Sequence, residues 1–171
     1  MEKCMSMVRR LHQSGITVAH SFDIRERISF YEKLCRSHGA LLFEDYEEVK
    51  GWMDWLMDTL DSMERPKCLC HIDANVDNFL FFEDGSVKLL DWEYAGMCDP
   101  VMDVSMCAIY SYYKEEDMER LFRLYLRREP SEDELFALYA NAALGGFLWC
   151  LWAVYKSILG DEFGEYTIIM Y

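Results

Sequence analysis

Residues 135–155, LFALYANAALGGFLWCLWAVY, contain no charged side chain. An uncharged run of that length has two physical homes. One is the hydrocarbon of a bilayer, which about 20 helical residues can cross; the other is the interior of a folded domain. Asn141, the Gly145-Gly146 pair and several alanines dilute this run, and acidic residues flank its start. A buried helix of a soluble domain is therefore the expectation, with no membrane span. Ser131-x-x-Glu134 is a capping box that opens the helix, which should run to about Leu159.

The rest of the chain must pack around such a helix, and most of it has helical periodicity. Met5, Val8 and Leu11 share one face of a short helix over residues 1–12. SGITVAHSF reads as a loop. Asp23 with Glu26 starts a helix to about Arg36, with Ile24, Ile28, Tyr31 and Leu34 or Cys35 inward. A longer helix over residues 45–64 places Val49, Trp52, Met53, Leu56, Leu60 and Met63 at helical spacing, and Arg65-Pro66 ends it. Helices resume after Pro100, over residues 101–113 and 116–128. Between them NFLFFEDGSVKLLDW reads as a hairpin, with strands at residues 79–82 and 87–90 around Asp84-Gly85. No repeat or linker interrupts the pattern. The fold class is α+β, mainly helical, in one domain of residues 1–171.

Charge narrows the partners. The chain has 31 acidic and 17 basic residues, a net charge of −14. Such a field repels phosphate backbones and attracts cations, so no nucleic-acid partner is expected. The seven cysteines show no disulfide framework, which suits reduced cytosolic thiols. Cys68, Cys70 and His71 form a C-x-C-H cluster. A structural zinc site needs four ligands, usually in two spaced pairs, and the sequence shows no second pair. The N-terminal MEKCMSMVRRLHQSG lacks the long apolar run of a signal peptide.

The hairpin gathers the acids. The loop with His71, Asp73 and Asn78 feeds its first strand, and Asp91 ends its second. An antiparallel pair brings its outer ends together, so Asp73, Asn78, Asp91 and Glu93 should cluster. Carboxylates with an amide oxygen are hard ligands suited to Mg²⁺. A further carboxylate beside the metal can accept a hydroxyl proton. These are the parts of a phosphoryl-transfer site. Trp149, Trp152 and Tyr155 recur at three-residue steps on the long helix. On spacing alone they read as core, although tryptophan faces also hold quaternary ammonium groups.

H-x-D-x-x-x-x-N, a hairpin and then D-W-E resemble the signature of the aminoglycoside phosphotransferases, choline and ethanolamine kinases, which share a protein-kinase-like fold. The resemblance implies that Asp73 is the catalytic base and that Asn78 and Asp91 bind the metal. His71 is implied to hold the loop rather than to act as base. Asp99 and Asp103, in CDPVMDV, read as capping the next helix and bracing that loop rather than binding metal. FLWCLWAVYKSILGDEFGEY resembles the C-terminal segment of choline kinases, where paired tryptophans wrap a trimethylammonium group; they match Trp149 and Trp152. DWEYAGMCDPVMD adds Tyr94 as a choline contact, and Tyr171 is a weaker match for a further aromatic. SGITVAHSFDIRERISFYE resembles the bacterial LicA type. The implied activity is transfer of the ATP γ-phosphate to choline with Mg²⁺, in the cytoplasm.

The family normally begins with a β-rich nucleotide lobe, and no Gly-rich loop or strand-borne lysine precedes the first helix here. The expectation is a C-terminal lobe alone, with weak ATP binding and self-association through the face that lobe would cover. A non-catalytic choline-binding module, and a kinase for ethanolamine or an aminoglycoside, stay open beside the choline kinase reading.

Overall fold

Asp23 accepts a hydrogen bond from the backbone N–H of Glu26 at 3.1 Å and starts the helix the sequence marks there. A cap of this kind stabilises a helix by about 1 kcal/mol. The computed structural model describes residues 1–40 and 42–171. Among them, seven α-helices and four short strands follow in the order α1 (Glu2–His12), α2 (Ile24–Ser37), α3 (Tyr46–Ser62), β1 (Cys68–Cys70), β2 (Phe79–Phe81), β3 (Val87–Leu89), β4 (Gly96–Cys98), α4 (Val101–Tyr110), α5 (Glu115–Leu126), α6 (Glu132–Ile158) and α7 (Tyr166–Met170). A single 3-10 turn, Val76–Asn78, precedes β2.

The chain divides into two compact units. One comprises Met1–Phe22 and Arg65–Ala142; the other comprises Asp23–Glu64 and Ala143–Tyr171. Helix α6 contributes its first part to one unit and the remainder to the other.

In the first unit, α1 buries Met5, Val8 and Leu11 and packs on α5 and β1. β2 and β3 form the expected hairpin, with Phe79 opposite Leu89 and Phe81 opposite Val87. Gly85 sits at its tip at φ 81°, a backbone conformation that glycine adopts at no steric cost. A second sheet was absent from the sequence reading: β1 pairs antiparallel with β4, Cys68 opposite Cys98 and Cys70 opposite Gly96. Phe22 and Met97 then bond across the far edge of β4, Phe22 N–H to Met97 O at 3.1 Å. A Cβ on Gly96 would lie 2.8 Å from the Phe22 nitrogen, so only glycine lets that segment approach.

In the second unit, α2 resolves the Leu34/Cys35 ambiguity in favour of Cys35, which is fully buried and donates to Leu151 O at 3.3 Å. Burial pushes its thiol up to about 11. Helix α3 departs from the expected face. It buries Tyr46, Met53 and Met57, while Trp52 is 60% exposed. The expected stripe was too wide; the buried positions, spaced seven and four apart, trace one narrower line down the helix. Helix α7 docks by backbone contact: a Cβ on Gly146 of α6 would lie 2.7 Å from Met170 O.

The uncharged stretch lies in α6. It is the one described helix long and apolar enough to cross a membrane, and 72% of that apolar window is buried within the protein. Its start is the capping box: Glu134 N–H donates to Ser131 Oγ at 3.2 Å and Ser131 N–H to Glu134 Oε2 at 2.9 Å.

Candidate active site

Both sheets of the first unit deliver loops to a common place. The end of β1 lies opposite the start of β4, so residues 71–73 and 91–95 leave from the same end of that pair. The start of β2 lies opposite the end of β3, which sets Asn78 beside Leu90. Hydrogen bonds close the arrangement. Leu90 N–H donates to Asn78 O at 2.9 Å. Asn78 Nδ2 donates to both the backbone oxygen and Oδ2 of Asp73, each at 2.9 Å. His71 Nε2 bonds Leu90 O at 2.8 Å, and the Trp92 ring stands edge-on to His71 at 4.8 Å.

Asp73 and Asn78 are thus joined directly, and Asp91 follows the residue bonded to Asn78. Asp73 and Asn78 are half-buried; Asp91 and Glu93 are exposed and Tyr94 is half-buried. Because Asn78 spends its amide nitrogen on Asp73, its Oδ1 is left for a hard cation. Two backbone outliers flank the set: Ile72 at φ 72° and Asp91 at φ 61°. For a β-branched residue such as Ile72 the left-handed region is a real outlier, and such strain gathers at functional sites.

Asp103, fully buried in α4, opposes that strain. It accepts from His71 N–H at 2.8 Å and Ile72 N–H at 2.6 Å, and bonds His12 Nε2 at 2.9 Å. His71 is itself fully buried, with its ring used to hold the segment at Leu90. Asp99 accepts from Val101 N–H at 2.9 Å at the start of α4, and takes a two-pronged ion pair from Arg65 at 2.5 and 3.1 Å. Sequence reasoning gave His12 no role at this loop. It lies 91 residues from Asp103, and no spacing rule links them.

The remaining predicted residues belong to the second unit. Trp149 is 4% exposed and meets Trp152 edge-on at 6.0 Å. Trp152 is half-buried, contacts Phe163 at 5.1 Å and has Lys156 Nζ 5.8 Å above its ring. Tyr171 stacks on Phe43 at 3.9 Å and donates its hydroxyl to Asp45 at 2.7 Å.

The sequence profile of the phosphotransferase enzyme family matches residues 1–136, and the chain belongs to that family. Amino-alcohol kinases are among the proteins it resembles. Protein LicA of Haemophilus influenzae is 25% identical over 180 residues, a match covering 98% of this chain and 52% of LicA. A choline/ethanolamine kinase family protein from Mesorhizobium loti superposes with TM-score 0.89 at 25% identity, covering 99% of this chain and 59% of that one. The choline kinase LicA from Streptococcus pneumoniae superposes with TM-score 0.85 at 27% identity, covering 99% and 59%. The fold is the kinase-like fold of these enzymes, and the chain spans about half the length of the Haemophilus relative.

Proposed function

We propose that this chain is the substrate- and metal-binding lobe of an ATP-dependent choline kinase. The observation that supports this reading most is the bonded pair Asp73–Asn78 beside Asp91. Asp73 Oδ2 is held by Asn78, which leaves Oδ1 to take the proton of the choline hydroxyl. As that proton leaves, the hydroxyl oxygen bonds the γ-phosphorus, the bond from that phosphorus to the bridging oxygen breaks, and ADP departs. Asn78 Oδ1 and the Asp91 carboxylate would hold Mg²⁺, with Glu93 beside them; when bound, the ion neutralises phosphate charge. His71 and Asp103 position the loop.

For choline, Trp152 offers a cation-binding face, as its contact with Lys156 illustrates. Trp149, being buried, backs that ring. Tyr94 and Tyr171 are further aromatic contacts on this reading. Seven free thiols suit a cytoplasmic location.

Parallel calorimetric titrations of the chain with choline, ethanolamine and an aminoglycoside test the substrate. Choline should bind most tightly. Tightest binding of the aminoglycoside, a polycation held by carboxylates, would replace the assignment with an antibiotic kinase, and no heat with choline would remove it.

A further inference from the structure

The first unit holds a second cluster of ligand-type side chains, one the phosphotransfer site does not use. His12, Cys68 and Cys70 each bring one ligand atom within 4.8 Å of the others. We propose that these three residues form a binding site for a thiophilic d10 cation of the Zn²⁺ type.

Four observations support the site. Cys68 and Cys70 are alternate residues of β1, so their side chains share a face. A tetrahedral ion with metal–sulfur bonds of about 2.3 Å holds its sulfurs about 3.8 Å apart, and the two Sγ atoms lie 3.8 Å apart. His12, the last residue of α1, has its Nε2 2.9 Å from the Asp103 carboxylate. A carboxylate accepts only, so in the neutral ring Nε2 carries the proton and Nδ1 keeps its lone pair, which now meets the Tyr125 hydroxyl at 2.8 Å. A carboxylate behind the imidazole is the usual support for a ligating histidine. Finally, Cys98 stands opposite Cys68 across the β1–β4 pair, which puts a third thiol on the same face of that sheet. Cys68 is half-buried, which gives an ion a route in.

The sequence hid the third ligand because His12 comes from α1, far from Cys68-x-Cys70 along the chain. The site also adjoins the catalytic loop: β1 runs straight into His71, and Asp103 bonds both His12 and the His71 and Ile72 amides.

The test uses the full 171-residue chain, kept reduced with a phosphine and titrated with Co²⁺ and then Zn²⁺. At a net charge of −14, carboxylates will collect cations indiscriminately. Sulfur-to-cobalt charge-transfer absorption separates thiolate ligation from that background. One equivalent of Co²⁺ should produce the band, Zn²⁺ should bleach it, and Zn²⁺ should raise the melting temperature. Cys68→Ser should lose the band and the shift, while Cys4→Ser keeps both. X-ray absorption of the zinc-loaded parent adds a readout that needs no variant, and should find sulfur and nitrogen around the ion. No band in the parent, an equal band in Cys68→Ser, or an oxygen-only shell would overturn the proposal. None of these readouts involves choline or ATP, so their failure leaves the phosphotransferase reading untouched.

Discussion

Oδ1 of Asp103 accepts a 2.6 Å hydrogen bond from the N–H of Ile72, a β-branched residue held at φ 72°. The residue preceding the proposed base is thus kept in an unfavourable backbone state by a buried carboxylate 31 residues away. Replacing Asp103 by alanine leaves two buried amides and His12 without their acceptor, each costing about 1–3 kcal/mol. The expected loss is about 3 kcal/mol or more. At roughly 2–4 °C per kcal/mol for a chain of this size, calorimetry should find a melting point lower by about 6 °C or more.

Helix α7 depends on the missing side chain of Gly146. Gly146→Ala places a Cβ against Met170 O, and overpacking of this kind costs about 1–3 kcal/mol. Hydrogen exchange should show faster exchange in Tyr166–Met170. Gly51, inside α3, has nothing within 4 Å of its virtual Cβ, so Gly51→Ala should stabilise the protein by about 0.5–1 kcal/mol.

These glycines mark the border of what the sequence makes legible. Helices α1 to α6 were readable because apolar spacing, Asp23 and Ser131-x-x-Glu134 are local signals, and the hairpin was readable from Asp84-Gly85. The β1–β4 sheet was not, because two three-residue strands carry no periodicity and 28 residues separate Cys70 from Cys98. Trp52 was misplaced because hydrophobicity does not reveal which face a neighbour covers. The acids of the loop and hairpin stood out by motif order. Their bracing by Asp103 and His12 depends on contacts across α1, β1 and α4, which no short window contains.

Acid should weaken the start of α6. Hydrogen bonding to Arg128, and then to the Ser131 amide, pulls the Glu134 carboxyl from its ordinary 4.5 down to about 2. A depressed folded-state pKa stabilises the protein above pH 4.5, and that contribution is lost as pH falls toward 2. Arg128 is more than half exposed, so water screens the pair and the effect is on the order of 1 kcal/mol. Denaturant titrations at several pH values should show a shallower decline across this window in Glu134→Gln than in the parent.

The proposed choline face already holds a cation. Trp152→Ala, verified as folded, should weaken choline binding roughly tenfold, the equivalent of about 1.4 kcal/mol. Lys156→Met removes the resident ammonium and should tighten choline binding. Ethanolamine should lose less in Trp152→Ala, since its ammonium can hydrogen-bond to carboxylates. Unchanged choline binding in Trp152→Ala, measured by calorimetry, would make that ring ordinary packing.

The central claim is that Asp73 takes the proton from the acceptor hydroxyl. Its most direct test compares parent and Asp73→Ala, with a nucleotide-binding lobe supplied, for Mg²⁺-dependent transfer of phosphate from ATP to choline, alongside the choline dissociation constant. A base acts in the transition state, so turnover should fall by about 10²–10⁴-fold while choline affinity changes little. Turnover within about tenfold of the parent, or a loss confined to choline affinity, would contradict the assignment.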